Sequence, residues 1–287
     1  MISANYSASA TSAVRALQST ARDLDTTQTR IATGKKINSS ADNASLFALA
    51  NKVTSQVAES STYQDNLKTA KAHANVATTA IDTISTTLTD LRAKVVSYGA
   101  TTDTDAKAAI FADITSLQSQ LKTTVKQATL DGSTNFLDGT KTEYSIKSSA
   151  SSTDVIDLAN TNFYDGSAGG ILDQTGTASS KSITGFVAAD IADSTKVTNM
   201  LTDSDTAITA TNTAASTIGS AVKRITAASD FLTTLNDIKT KAISSLVDAD
   251  LNEESAKLTA LQTSQSLQAT VLQIANASSQ NTLRLFQ

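Results

Sequence analysis

Residues 67–95, LKTAKAHANVATTAIDTISTTLTDLRAKV, decide the fold, because their apolar side chains recur in alternating steps of three and four. These apolar positions are Leu67, Ala70, Ala74, Ala77, Ile81, Ile84, Leu88, Leu91 and Val95. Such spacing is typical of an α-helix that packs in a coiled-coil-like seam. The pattern continues back through Val57 and Val53 to Leu46. We therefore predict a helix of roughly fifty residues, about 75 Å long.

Two more inner helices follow from the same periodicity. A break at Tyr98-Gly99-Ala100 is followed by Asp103 or Thr104, either of which can cap a helix that carries apolar residues from Ile110 to Ala128. Another helix begins near Lys196, with an apolar stripe from Ile218 to Ala242. The chain has no proline, so no missing backbone donor interrupts these helices.

The middle of the chain differs in composition and pattern from the helical segments that precede and follow it. Seven of the ten glycines lie between Gly132 and Gly185. The segments Thr142–Ile146 and Val155–Leu158 are predicted as short strands around a turn at Ser148–Asp154.

Each end of the chain carries an amphipathic arm. In the first arm Ala10, Leu17, Leu24 and Ile31 recur every seven residues, and Gly34 is expected to end the helix. In the second arm Asp250 and Glu253 fit a capping box ahead of a terminal helix. Gln265 and Gln268 occupy seam positions there, so the two arms alone bury little apolar area. We infer that the arms are loose in the monomer and order only when several copies bury them together.

Composition excludes several classes of protein. The net charge of -4 argues against a nucleic-acid binder, and no apolar run is long enough to span a membrane. Without cysteine there are no disulfides or thiolate sites, and His73, the single histidine, is expected to be a solvated helix residue. The first residues lack the pattern of a cleaved secretory signal. We predict no enzyme activity and no catalytic, cofactor or metal site.

Both ends carry longer motifs. Residues 30–44, RIATGKKINSSADNA, followed by ALAN at 48–51, resemble the N-terminal signature of bacterial flagellins. Near the other end, VDADL at 247–251, IAN at 274–276 and LRLFQ at 283–287 are similar to the C-terminal signatures of that family. The final Gln287 stands where the family often has Arg, and the short middle resembles small alphaproteobacterial flagellins.

The resemblance implies a mainly α fold: an elongated bundle of long antiparallel helices, with coiled-coil terminal arms and a small β-hairpin and loop region in the middle. Residues 1–40 and 249–287 would form the inner coiled-coil core of a filament. Residues 41–130 and 196–248 would form a helical bundle, and residues 131–195 the hairpin and outer loops.

The resemblance further implies a secreted, extracellular structural subunit that polymerises with itself into the flagellar filament for motility. Its expected partners are the flagellar export machinery, a flagellin chaperone, and hook-associated and cap proteins, without nucleic acid or membrane insertion. Two alternatives remain open at this point: a hook–filament junction protein, and a surface adhesin or glycan-binding flagellin homologue that uses residues 131–195.

Two sets of site residues follow. The residues expected to carry polymerisation are Leu17, Leu24, Ile31, Leu251, Leu258, Leu261, Leu272, Ile274, Leu283, Leu285 and Phe286. The helix that the animal flagellin receptor recognises in this family resembles L-Q-R-V-R-E-L-A-V, and here it reads LTDLRAKVV at 88–96. Arg92 is retained, but Asp90 replaces a cation and Lys94 replaces an apolar anchor, so we expect no recognition.

Overall fold

The computed structural model describes residues 8–139, 143–149, 154–164, 170–172 and 182–285. Within them are five α-helices and one hairpin: α1 (Ala8–Thr33), α2 (Ala44–Ala100), α3 (Thr104–Gln127), β1 (Glu143–Lys147), β2 (Val155–Ala159), α4 (Ser194–Val247) and α5 (Leu251–Leu285). The mainly α fold with a small antiparallel hairpin in the middle is confirmed. The long helix predicted from residues 67–95 is α2, which has 57 residues.

The chain divides into two compact units. The first consists of Met1–Val57 and Asp237–Gln287, and the second of Ala58–Asn236. Helices α2 and α4 contribute residues to both units. The division into filament core, bundle and outer loops stays a prediction about the assembled polymer.

The core of the second unit is built on the predicted stripe of α2. Leu67, Ile84, Leu88, Leu91 and Val95 are fully buried there. The stripes of α3 and α4 are buried in the same cluster through Ile114, Leu121, Val125, Ile218 and Ile225. Burying a large aliphatic side chain contributes about 1.5–3 kcal/mol, so these interlocking stripes provide the main stabilisation of the unit.

The middle of the chain covers this core. In the hairpin, Tyr144 lies opposite Leu158 and Ile146 opposite Ile156, and Ile146, Ile156 and Leu158 are buried. A buried side chain holds the next loop: Gln118 Nε2 of α3 donates to the carbonyl oxygens of Ile183 at 3.1 Å and Phe186 at 3.3 Å.

The prediction that His73 is solvated was wrong. Its side chain is buried, with 7% of the residue exposed, and its ring lies 6.0 Å from the ring of Phe136 and 6.3 Å from that of Tyr144. Both aromatic residues belong to the segment between α3 and α4. The α2 pattern could not indicate this burial, because the covering residues lie more than sixty positions away in sequence.

Helix boundaries follow the predicted local signals. Asp103 caps α3, where its carboxylate accepts from the amides of Asp105 and Ala106 at 2.8 and 3.1 Å. Gly34 ends α1 with φ of 68°, in the left-handed region that glycine adopts easily.

Candidate assembly site in the terminal helices

A clasp of backbone hydrogen bonds joins the segment just after α1 to the junction between α4 and α5. Ala249 N donates to Gly34 O at 2.9 Å, while Lys36 N and Ile37 N donate to Val247 O at 2.6 and 3.3 Å. Ile37 and Val247 are buried beneath these bonds. The clasp fixes the place from which the two arms extend.

Polar side chains of the motif at residues 30–44 shape the turn into α2. The Asp42 carboxylate accepts hydrogen bonds from the amides of Ser39 at 2.9 Å and Asn38 at 3.0 Å, which hold the pKa of Asp42 below its usual range. Asn43 then caps α2, where its Oδ1 accepts from Leu46 N at 3.0 Å. The motif therefore acts locally as a turn and a helix cap.

Asp250 caps α5. Its Oδ1 accepts from Asn252 N at 2.9 Å and from Glu253 N at 3.4 Å, which is the Asp250 half of the predicted capping box. The cap fixes the residue at which α5 begins, and therefore the direction in which each of its side chains points relative to the clasp.

The two arms pack against each other as an antiparallel pair, with Cα atoms within 8 Å of each other. We call the face where they meet the seam. Its buried and half-buried residues include Ala13, Leu17, Thr20, Leu24, Thr27, Arg30 and Ile31 in α1, and Glu254, Leu258, Leu261, Ser264, Gln268 and Leu272 in α5. The seam mixes leucines with small and polar residues, and small side chains permit the close approach.

An ion pair lies in the seam. Arg30 Nη1 contacts Glu254 Oε1 at 3.0 Å, with only 25% of the Arg30 side chain and 10% of the Glu254 side chain exposed. Arg30 lies in the last turn of α1 and Glu254 in the first turn of α5, so both helix dipoles favour these charges. A second polar contact joins Gln268 Nε2 to Thr20 Oγ1 at 2.9 Å.

Beside the seam, about a third of a turn around the helix, α5 carries a second apolar row. We call this row the outer stripe: Leu267, Val271 and Ile274. Their exposed fractions are 63%, 54% and 65%. The steps of four and three keep the three side chains on one side of the helix. An exposed row of large aliphatic side chains is characteristic of a surface that contacts a partner.

The structure sorts the predicted polymerisation residues into two environments. Leu17, Leu24, Ile31, Leu258, Leu261 and Leu272 are half-buried in the seam. Ile274 lies in the outer stripe, because two residues after Leu272 turn the helix by about 200°. Leu251 is also exposed, at 50%. The side chains of Leu283 and Leu285, and the whole of Phe286, lie outside the described residues.

Sequence reasoning missed several residues of this site. It did not single out Leu267 and Val271, although their spacing from Ile274 is a signal that could have found them. It also missed the polar residues of the seam, Thr20, Arg30 and Glu254. A charged residue at a seam position has no partner that sequence alone can identify.

The three receptor-region positions lie on α2 in the second unit. Asp90 is exposed. Arg92 forms an ion pair with Asp205 of α4, and Lys94 Nζ contacts Asp113 Oδ2 of α3 at 2.7 Å.

Two features of the described residues bear on membrane insertion and metal binding. None of the helices there is long and apolar enough to cross a membrane. Among the same residues, no group of three or more His, Cys, Asp or Glu side chains is placed to hold a metal ion.

Comparison with known proteins agrees with the signatures at both ends. The family described as the bacterial flagellin N-terminal helical region matches residues 2–142, and the bacterial flagellin C-terminal helical region matches residues 201–286. A flagellin of Brucella melitensis biotype 1 is 33% identical over 291 residues and covers 100% of both chains. Flagellin FljM of Caulobacter vibrioides is 34% identical, covering 99% of this chain and 98% of its own.

Flagellin C of Rhizobium meliloti is 30% identical over 314 residues and covers 97% of each chain. These relatives do not favour a hook–filament junction protein or an adhesin. Flagellins form the flagellar filament, which is extracellular, and they are structural proteins rather than enzymes. This chain belongs to the bacterial flagellin family and is a subunit that polymerises into the flagellar filament.

Proposed function

We propose that the terminal arms, residues 1–40 and 249–287, form the inner coiled-coil core of the filament, and that copies meet through the outer stripe of α5. The observation that carries this proposal is the exposure of Leu267, Val271 and Ile274, each more than half exposed, on a helix whose other face already packs on α1. A single subunit therefore leaves an apolar face of its arms uncovered.

The energetics favour a polymer. Full burial of each large aliphatic side chain contributes about 1.5–3 kcal/mol, so three of them on every copy provide a substantial driving force for association. The seam is occupied by α1, so the outer stripe is the face of α5 left for another copy, and the proposal is that it meets a different surface of that copy. Such a contact is heterologous, and heterologous contacts that do not close produce open helical filaments.

The route to the filament is also part of the proposal. The subunit leaves the cell unfolded through the flagellar export machinery, escorted by a flagellin chaperone, and assembles outside the cell between hook-associated and cap proteins. The absence of cysteine supports this route, because a chain that folds after export then needs no disulfide formation. Residues 131–195, which hold the hairpin, would lie on the outside of the filament.

The test uses full-length protein with Val271→Asp or Ile274→Asp. An unpaired charge in a desolvated contact costs several kcal/mol, so we expect loss of salt-induced filaments in electron micrographs. Gln273→Asp is the matched control, because Gln273 is exposed on the same turns but outside the stripe. Monomer melting should be unchanged in all three variants. Filaments of parental length and yield from Ile274→Asp and Val271→Asp would refute the role of the stripe.

A further inference from the structure

The second unit leaves one aromatic ring turned to solvent on α4. Phe231 is 64% exposed, more than any other large apolar side chain described in that unit. Steps of three and four residues place Arg224 and Ala227 on the same side of the helix, and both are exposed. We call this side the α4 face. Aromatic rings and arginines are enriched in protein interfaces, so the α4 face has the composition of a surface that meets a partner.

A groove between α2 and α3 of the same unit can receive such a ring. Its lining residues include Val76, Thr79, Ala80, Thr83, Thr124 and Ala128. The two alanines are buried, and the three threonine hydroxyls donate to carbonyl oxygens four residues earlier in their own helices, at 2.9 to 3.0 Å. An apolar ring can therefore cover this groove without leaving the threonine hydroxyl donors unpaired.

The direction of the helices limits how two copies can meet. Helices α2 and α4 run antiparallel, because contacts along them pair Gln64 with Thr233, Arg92 with Asp205, and Gly99 with Val197. Copies in a helical filament are related by a screw axis, so they all point the same way. Long helices that lie along this axis bring α4 of one copy antiparallel to α2 of the next.

One register between these two helices also brings opposite charges together. With Phe231 of one copy beside Thr83 of the next, Arg224 lies beside Asp90, since each charge is seven residues, about 10.5 Å, from its groove partner. Asp90 and Arg224 are both exposed, and neither belongs to an ion pair within the described part of the chain. An ion pair between copies would therefore use charges that the subunit leaves available.

We propose that the α4 face of one copy docks in the α2–α3 groove of the next, with Phe231 in the groove and Arg224 paired with Asp90. The occupant is a second copy, because the same chain supplies the ring, the groove and the opposite charges in one register. The two surfaces differ, so the contact is heterologous and continues from copy to copy without closing. It adds to the contacts of the arms and does not depend on the outer stripe.

Because the chain has no cysteine, an engineered pair can report this contact. Thr86→Cys with Ala227→Cys is suitable, since both positions are exposed and neither substitution removes the ring or the charges. In the proposed register Thr86 lies opposite Ala227, between the ring contact and the ion pair.

A disulfide within one copy is excluded for this pair. The contact of Arg92 with Asp205 places Thr86 beside residue 211 of α4, which is sixteen residues, about 24 Å, from Ala227. A disulfide needs Cα atoms within about 7 Å of each other. Any cross-link therefore joins two copies.

Oxidation of full-length filaments should give a ladder of covalent dimers, trimers and higher oligomers on a non-reducing gel. Thr86→Cys with Ser220→Cys is the matched control, because Ser220 is exposed on the same side of α4 but about 10.5 Å from Ala227. The control filaments should give no ladder.

Charge reversal tests the ion pair. Asp90→Arg or Arg224→Asp places like charges face to face, so each alone should raise the monomer concentration that remains at equilibrium with filaments about tenfold at physiological ionic strength. The two substitutions together restore opposite charges and should return that concentration close to the parental value. Monomer melting should be unchanged in all three variants, because both side chains are exposed.

Three results would overturn the proposal. Filaments of the Thr86–Ala227 pair without a ladder would mean that the α4 face does not meet the groove. A ladder of equal yield from the Ser220 control would mean that the register is different. A double reversal that assembles no better than the single ones would mean that Asp90 and Arg224 do not meet. All of these measurements use filaments with parental arms, so Ile274→Asp filaments would refute the outer stripe alone.

Discussion

Arg92 of α2 and Asp205 of α4 form an ion pair with two hydrogen bonds, in which Arg92 Nε donates to Oδ1 and Nη2 donates to Oδ2 at 3.3 Å. The carboxylate raises the pKa of the guanidinium above its already high value. The pair joins two long helices of the second unit, and it engages Arg92, the cation that we expect to be shared with receptor-recognised flagellins.

The first prediction concerns the contribution of this pair to folding. The side chains of Arg92 and Asp205 are 42% and 55% exposed, so solvent screens their attraction. Asp205→Ala should therefore lower the thermal midpoint by less than about 3 °C. The difference should shrink further in high salt. A much larger drop that persists in high salt would show that Asp205 has a structural role beyond the pair.

The second prediction concerns a buried amide. Gln118→Leu removes the donor that serves the carbonyl oxygens of Ile183 and Phe186, and a buried unsatisfied group costs about 1–3 kcal/mol. We expect chemical denaturation to show a loss of that size. Gln120→Leu is the control, because Gln120 is exposed on the same helix. Equal stability of the two variants would contradict the importance of the amide.

Much of the fold is predictable from the sequence, because the residues that recur at a helical spacing are also the residues that pack in the core. The apolar residues of α2 from Leu67 to Val95 lie at a helical spacing, and they are buried as that spacing predicts. His73 shows the limit, because its cover comes from Phe136 and Tyr144, which only the folded chain brings near.

The assembly site shows a different limit. Sequence locates the terminal arms, but α5 has apolar residues on two sides, so periodicity does not decide whether Leu272 or Ile274 meets α1. The seam also holds the contact between Arg30 and Glu254, which are 224 residues apart. A pairing over such a distance has no signal in one sequence.

The third prediction concerns the seam. Leu24→Asp or Leu261→Asp places a charge between α1 and α5, so we expect the arms to separate and filaments to be lost. The main melting transition should stay near the parental one, because the core of the second unit does not contain these leucines. Gln18→Asp and Gln262→Asp, both exposed on the same helices, are the controls. A large fall in the main transition would place Leu24 and Leu261 in the principal core.

The fourth prediction concerns the clasp. Gly34 has φ of 68°, and a Cβ there would meet nothing within 4 Å, so a substitution costs only backbone strain. Gly34→Ala should weaken the clasp by about 1–2 kcal/mol, seen as faster amide exchange at Lys36 and Ala249. Gly34→Asn should be milder, since asparagine tolerates this region better. Equal exchange in Gly34→Ala and the parent would contradict this account.

The fifth prediction concerns the animal flagellin receptor. Three features of α2 oppose binding: Asp90 reverses a charge, Lys94 is held by Asp113, and Arg92 is held by Asp205. Residues at such hot spots each carry about 2 kcal/mol or more, so the two substitutions alone should weaken binding on the order of a thousandfold. We therefore expect the unmodified monomer to be inactive in a receptor reporter assay at concentrations where recognised flagellins are active.

Variants that regain part of the receptor activation separate the effects of Asp90 and Lys94 from that of the Arg92–Asp205 pair. Asp90→Arg with Lys94→Leu restores the charge and the apolar anchor, so we expect measurable activation. Adding Asp205→Ala frees Arg92 from its intramolecular partner, and we expect a further gain because the guanidinium no longer has to break that pair. Asp205→Ala alone is the control and should stay inactive, since Asp90 and Lys94 still oppose binding. Nanomolar activation by the unmodified monomer would refute the escape, and no gain from the third substitution would show that the Asp205 pair does not compete with the receptor.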